Sequence, residues 1–274
     1  MLKECDIANY QRDGYLLLEN FVTNQQCDEL TKQINYWIEN GVEDQAKTVF
    51  DTDKENHTCN DFFRQSADTC SIFYEKSHAQ SDKKSKKINK IGHALHDLDP
   101  VFNKFSRQIK IAQLVNQLGM QSPLLMQSMY IFKQPYIGGE VDIHQDSSFL
   151  MTKSIPTIGL WFALEDATLD NGCLWALPGS HTTPLKYTFE CHQNECKIFP
   201  KDETPWNEQA LIPLEVKKGT LIVLHGHLAH ASYQNKTHKS RHAYTLHLVD
   251  AQDEYLPTNW LQKKNPATGF PSFI

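Results

Sequence analysis

From Leu124 onward the chain is a succession of short apolar or alternating runs divided by Gly, Pro and Asn turns, and its helical periodicities lie before that point. Helices first and many strands after is the order of a mainly β fold with helical additions: a β-sandwich or barrel buttressed by helices of the N-terminal half. The strand-rich core is expected over about 124–250. Thr23 is placed to cap a helix over roughly Gln25–Glu39, where Leu30, Ile34 and Trp37 recur at helical spacing. Tyr10–Val22 reads as an entry segment holding a short strand, Tyr15–Leu18. A second helix is expected over Asp99–Leu118, with Val101, Phe105, Ile109, Ala112 and Val115 on one face and Gly119 as its stop. Residues 42–85 are polar and read as a lid or inserted loop. All-β folds with helical additions commonly reach 274 residues as one domain, and no repeat or linker divides this chain. A single domain over 1–274 is therefore expected.

Hydrophobic content of 40% and charged content of 22% suit a globular protein in water. The net charge of −6 argues against general nucleic-acid affinity, which needs a basic face. No run of eighteen apolar residues is present, so no membrane span is expected. The start lacks a basic region followed by an apolar stretch, and the ending Pro-Ser-Phe-Ile is not a peroxisomal address of the Ser-Lys-Leu type. Seven scattered cysteines, odd in number, suit free thiols in a reducing compartment, so a cytoplasmic location is expected. Cys191, His192 and Cys196 lack a second ligand pair and read as a loop with incidental thiols rather than a zinc site.

One constellation points to chemistry. His144 and Asp146 flank Gln145 after an alternating stretch, and His230 sits eleven residues before Arg241. In a strand, residues i and i+2 point to one face, so His144 and Asp146 can reach one metal with Gln145 turned away. His230 must then come from elsewhere in the fold, after the turn and apolar run of Gly219–His225. Two imidazoles and a carboxylate leave open positions on a metal, as in the facial triad of non-haem Fe(II) oxygenases. Arg241 opens another strand candidate, residues 241–249, and its planar guanidinium can grip a carboxylate at two points. Ser232, two after His230, shares its face. With 13 histidines in the chain, one His-x-Asp could arise by chance; the distant His230 and Arg241 narrow the reading.

The blocks HQDSSFL (144–150), LWFALEDATLDNGCLWALPGSH (160–181) and KKGTLIVLHGHLAHASYQNKTHKSRHAYTLHLV (217–249) resemble the phytanoyl-CoA dioxygenase family of Fe(II)- and 2-oxoglutarate-dependent oxygenases. The likeness extends through NKIGHALHDLDPVF (89–102) and PTNWL (257–261), and is weakest over 41–85 and 182–212. It implies a double-stranded β-helix, a jelly roll of cupin-like form. It implies His144, Asp146 and His230 as metal ligands, Arg241 on the distal carboxylate of 2-oxoglutarate and Ser232 as its hydroxyl partner. Lys90, Met129 and Trp161 match further co-substrate positions. Without the resemblance, Met129 and Trp161 read as core, and Lys90 as a solvated charge ending the lysine run 83–87.

The resemblance implies Fe(II), 2-oxoglutarate and O2, with ascorbate as a supporting reductant. The reaction would turn 2-oxoglutarate into succinate and CO2 while hydroxylating a small-molecule or acyl substrate. Asp146, where a related halogenase carries a small residue, favours hydroxylation. A jelly-roll metal- and 2-oxoglutarate-binding sensor without turnover is the alternative; a zinc or manganese isomerase would need no Arg241. His225, His227 and His247 read as ordinary polar residues, and Glu165 and Asp166 as turn carboxylates.

Overall fold

The structure, a computed structural model, describes residues 2–40, 48–49, 64, 66–75, 88–193, 195–264 and 267–270. Its elements are α1 (Glu4–Asp13), β1 (Tyr15–Leu18), α2 (Asn24–Asn40), β2 (Thr48–Val49), β3 (Cys70–Tyr74) and β4 (Ile88–His93). Three short helices follow: α3 (Leu95–Leu98), α4 (Pro100–Ser106) and α5 (Ile109–Gln117). Then come β5 (Pro123–Ile131), β6 (Val141–His144), β7 (Ile158–Ala163), β8 (Leu174–Ala176), β9 (Tyr187–His192) and β10 (Glu195–Pro200). The last strands are β11 (Ile212–Leu214), β12 (Leu221–His225), β13 (His230–Ser232) and β14 (Ala243–Asp250).

Eight strands form a major sheet in the order β1-β12-β7-β14-β5-β4-β3-β2, and four form a minor sheet, β11-β8-β13-β6. Pairing is antiparallel except between β2 and β3. Residues opposite one another on neighbouring strands share a face, which sorts the major sheet into two surfaces. Phe162, Tyr244, Tyr130 and Ile91 make one row across β7, β14, β5 and β4. That row packs with Cys27, Leu30 and Ile34 of α2, Phe102 and Phe105 of α4, and Ile111, Leu114 and Val115 of α5 in the main core. The opposite surface carries Trp161 and, with Ile222 and Leu224 of β12, meets Leu174, Ala176 and Leu214 of the minor sheet in a second core. The jelly roll is thus a two-sheet body with helices on its outer face.

The helix at α2 forms as its sequence predicts. Thr23 Oγ1 accepts from Gln26 N at 3.1 Å and Gln26 Oε1 from Thr23 N at 3.0 Å, a reciprocal cap. Other expectations need correction. The helix expected over Asp99–Leu118 is two helices, broken at Gln108, whose backbone is extended at φ −63, ψ 134. Arg107 at the break is drawn off the helix to His96 O and Asp97, and Ile109, placed on the buried face by periodicity, is 51% exposed. Residues 4–13, which run into the expected entry segment at Tyr10, form α1, stopped by Gly14 at φ +81. The strand-rich region is wider than 124–250, because β1, β3 and β4 complete the major sheet. Within 42–85, Cys70–Tyr74 is a sheet strand rather than lid; the rest of that stretch lies largely outside the described residues, as does the lysine run 83–87. Cys191 and Cys196, expected in a loop as free thiols, face each other across the β9–β10 hairpin and form a disulfide. Cys5, Cys27, Cys70 and Cys173 are free.

Candidate metal and co-substrate site

His144 ends β6 and His230 opens β13, and the two are direct cross-strand partners with ring centroids 4.3 Å apart. The strand ends at His144, so Asp146 does not lie on it as expected; it opens a tight turn over 146–148. Gln145 is still extended between them, at φ −119, ψ 127, and that keeps Asp146 on the side of His144. Gln145 itself points away. Its Nε2 donates to His227 O at 2.8 Å and its Oε1 accepts from Lys186 N at 3.0 Å. The loop that follows β6 is thereby laced to the loop that delivers His230.

One ligand atom each of His144, Asp146 and His230 converge within 4.8 Å of one another, the one such group found among the described residues. Asp146 Oδ1 stands 3.6 Å from His144 Nε2 and 3.7 Å from His230 Nε2. The other ring nitrogens are fixed. His144 Nδ1 meets Asp142 O at 2.8 Å and His230 Nδ1 meets Leu228 O at 3.0 Å. A carbonyl only accepts, so each Nδ1 carries the proton and each Nε2 keeps a lone pair aimed at the cluster. The His230 and Asp146 side chains are 7% and 10% exposed and that of His144 is 21% exposed, so the cluster opens past His144.

Electrostatics follow from burial. Burial, then the charge of His144, lowers His230 to about 4. Burial would also lower His144, but the Asp146 carboxylate outweighs it and its pKa is raised. Asp146 is held well below the ordinary carboxylate range: burial opposes ionisation, and His247, His230 and His144 overcome it. His247 Nε2 lies 3.3 Å from Asp146 Oδ2, at ion-pair distance but misaligned, so Oδ2 keeps no hydrogen-bond donor. Gly159, opposite His247 on β7, makes room for this carboxylate: a Cβ there would lie 2.8 Å from Asp146 Oδ2.

Of the co-substrate candidates, Trp161, Met129 and Lys90 lie on the inner surface of the major sheet, Arg241 just before its strand β14, and Ser232 on β13 of the minor sheet. Trp161, Thr245, Met129 and Gly92 form one row across β7, β14, β5 and β4, next to the row of Gly159 and His247. Arg241, 2% exposed, precedes β14 and places its guanidinium carbon 5.1 Å from the Trp161 ring centre. Its Nε donates to Gly172 O at 3.0 Å, while Nη1 and Trp161 Nε1 are buried with no hydrogen-bond partner among the described residues. Glu165 clamps the flanks of Arg241, accepting from Ser240 Oγ at 3.0 Å and His242 N at 2.8 Å. Ser232 is buried at the far end of β13 from His230. Lys90 is 7% exposed on β4, not solvated, with its ammonium 5.2 Å from the Phe73 ring centre and pushed down to about 7 by burial. It shares the Trp161 surface but lies one row beyond Met129, opposite Ile131.

Two residues escaped the sequence reading. His247 reads there as an ordinary strand histidine, and the structure sets it against Asp146; its alternation with Thr245, Ala243 and Arg241 was the available signal. Lys133, 3% exposed, interrupts the apolar run Tyr130-Ile131-Phe132 and bonds Ser232 Oγ at 2.9 Å. Among the described residues no helix is long and apolar enough to cross a membrane.

Comparison with known proteins places this arrangement. The sequence profile "Phytanoyl-CoA dioxygenase (PhyH)" matches residues 10–243. Phytanoyl-CoA dioxygenase domain-containing protein 1 of Rattus norvegicus is 40% identical over 287 residues, 98% of this chain and 97% of the relative. Among solved structures, EctD from S. alaskensis with bound Fe is similar with a TM-score of 0.68 at 19% identity, covering 98% of this chain and 87% of that one. The epimerase SnoN in complex with Fe3+, alpha ketoglutarate and nogalamycin RO is similar with a TM-score of 0.67 at 16% identity, covering 98% and 94%. Those two likenesses establish the jelly-roll fold. With the profile match and the 40% identical relative, the chain belongs to the phytanoyl-CoA dioxygenase family.

Proposed function

We propose that this protein is an Fe(II)- and 2-oxoglutarate-dependent dioxygenase that hydroxylates a small-molecule or acyl substrate while 2-oxoglutarate becomes succinate and CO2. The observation that carries the reading is the convergence of three ligand atoms, together with a buried arginine on the same inner surface that makes no ion pair among the described residues. His144 and His230 would hold Fe(II) through Nε2 and Asp146 through its carboxylate, leaving open positions. Arg241 would take the distal carboxylate of 2-oxoglutarate, with Ser232 beside it, and Trp161 and Met129 would wall the pocket. Lys90 would contribute from the next row. The orphaned Arg241 Nη1 and Trp161 Nε1 fit such a ligand, because a buried donor without a partner costs about 1–3 kcal/mol until something accepts from it.

When bound, the iron supplies oxygen activation at the expense of the keto acid. The chain's own part is orientation and exclusion of water. Asp142 O and Leu228 O fix the two imidazoles, Gly159 and His247 aim the carboxylate, and Glu165 holds Arg241 square to the pocket. Burial strengthens each of these contacts. One domain over 1–274, a cytoplasmic location and no nucleic-acid or membrane partner complete the reading.

The test is anaerobic reconstitution with Fe(II) and 2-oxoglutarate, followed by succinate measurement after O2 is added. Wild type is expected to bind both and form succinate, and His144→Ala and Arg241→Ala to abolish it. Binding without succinate, even across a broad panel of candidate substrates, would favour a metal- and 2-oxoglutarate-binding sensor. Failure to bind iron or 2-oxoglutarate would remove the assignment.

A further inference from the structure

We propose that Lys133 is a second cation for the distal carboxylate of the dicarboxylate co-substrate, acting beside Arg241 through the shared Ser232 hydroxyl. The inference rests on the co-substrate reading above and adds a residue that neither the sequence motifs nor that reading supplied.

The ammonium is built in rather than stranded. Lys133 Nζ donates to Ser232 Oγ at 2.9 Å and to Gly139 O, and its third proton is free for a ligand. The stem runs against Gly172, where a Cβ would lie 2.6 Å from Lys133 Cε; φ there is +86, a conformation glycine adopts without strain. The same Gly172 accepts Arg241 Nε through its carbonyl at 3.0 Å, and Arg241 N donates to Lys133 O at 3.2 Å. Asn235 Nδ2 also holds Lys133 O, at 3.0 Å. The two cations are therefore fixed by one set of backbone positions and cannot move apart independently.

Placing them together is costly without an anion. Among the described residues no carboxylate makes an ion pair with Lys133. Glu75 is buried nearby, but its Oε2 accepts from Gly139 N at 3.2 Å and burial raises its pKa. Burial, then the charge of Arg241, pushes the Lys133 ammonium well below the ordinary lysine range, with Glu75, Glu140 and Cys173 opposing. Arg241 is itself lowered to about 10 by burial. A carboxylate between Arg241 Nη1, Lys133 Nζ and Ser232 Oγ would supply the missing charge and accept from the orphaned donor.

The experiment compares two keto acids on Mn(II)-loaded protein by anaerobic calorimetry: 2-oxoglutarate, and 2-oxopentanoate, in which a methyl replaces the distal carboxylate. Wild type is expected to prefer 2-oxoglutarate strongly. Lys133→Met, and Lys133→Gln, which keeps an amide donor for Gly139 O, are expected to weaken 2-oxoglutarate by about 10- to 100-fold, the range for a charge-assisted contact. Both should leave 2-oxopentanoate within about 2-fold on the same scale. Equal weakening of both acids, or unchanged 2-oxoglutarate binding, would overturn the proposal. Loss of cooperative unfolding in both variants would assign the lysine to the fold and overturn it too. A wild type that does not distinguish the two acids would instead bring down the co-substrate reading, and this proposal with it.

Discussion

The two surfaces of the major sheet are made by the same strands, residue by residue, yet they are finished to different degrees. On the outer surface Phe162 meets Phe105 edge-on at 5.1 Å and Tyr244 meets Phe102 at 5.0 Å. Its polar tips are satisfied there: Tyr244 OH pairs with Ser106 Oγ at 2.8 Å, and Tyr130 OH with Thr31 Oγ1 and His242 Nδ1. On the inner surface Trp161 Nε1, His247 Nδ1, Arg241 Nη1 and Asp146 Oδ2 are buried without hydrogen-bond partners among the described residues. Native cores rarely leave such groups unmet. A sheet that is complete on one side and incomplete on the other has separated stability from chemistry at a spacing of one residue.

Four experiments press on that division, in descending order of effect. Asp146→Ala removes the shared ligand and is expected to abolish stoichiometric Fe(II) retention after gel filtration, with the fold intact by circular dichroism; retained iron would move the site elsewhere. Phe162→Ala, 0% exposed on the outer surface, is expected to cost about 3–5 kcal/mol of unfolding free energy. Metal affinity of the protein that remains folded should be unchanged, and a parallel loss of affinity would show that the two surfaces are not separable.

Third, the metal-free protein should respond to pH through His230. Its folded pKa of about 4 lies below the ordinary value near 6.5, so the unfolded chain takes up the proton first. Stability contributed by neutral His230 is present above about 6.5 and is lost as pH falls toward 4, by up to roughly 3 kcal/mol. His144, raised by Asp146, works in the opposite sense. His230→Gln should therefore flatten denaturant midpoints across this window, and an unflattened profile would mean that His230 does not stay neutral in the fold. The smallest expected effect is His247→Leu, which withdraws support from Asp146. About 10- to 100-fold weaker metal binding is expected, the usual range for a residue behind a ligand, with partial rescue by His247→Gln. No change would make His247 a bystander of the inner surface.

Most of this site was legible in the chain because its chemistry sits at strand ends with period-two spacing. The separation of His144 from Asp146, and of His230 from Ser232, survives small errors in where a strand stops. Asp146 shows this: the strand ended two residues early, yet extended Gln145 delivered the carboxylate to the same side. Lys133 and His247 were hidden for a different reason. Each is defined by what packs against it from the other layer, Ser232 and Asp146, and contacts between layers are not written in local pattern. The broken helix at Gln108 was hidden likewise, since Arg107 is captured by His96 and Asp97 from the preceding turn. Residues Cys191 and Cys196 read as a loop because polar neighbours mask the strands of an exposed hairpin.

The direct pairing of His144 with His230 carries a last consequence. Those residues join β6 to β13, and Asp146 abuts Gly159 and His247 of the other sheet. A metal held by the three would tie β6, the turn after it and β13 together where Asp146 meets the other layer. Binding to the folded chain alone then shifts the folding equilibrium by mass action, about 2.7 kcal/mol at a free metal concentration 100 times the dissociation constant. Resistance to heat and to proteolysis becomes a function of iron supply, and the abundance of this protein in an iron-starved cell would fall before its chemistry was ever called upon.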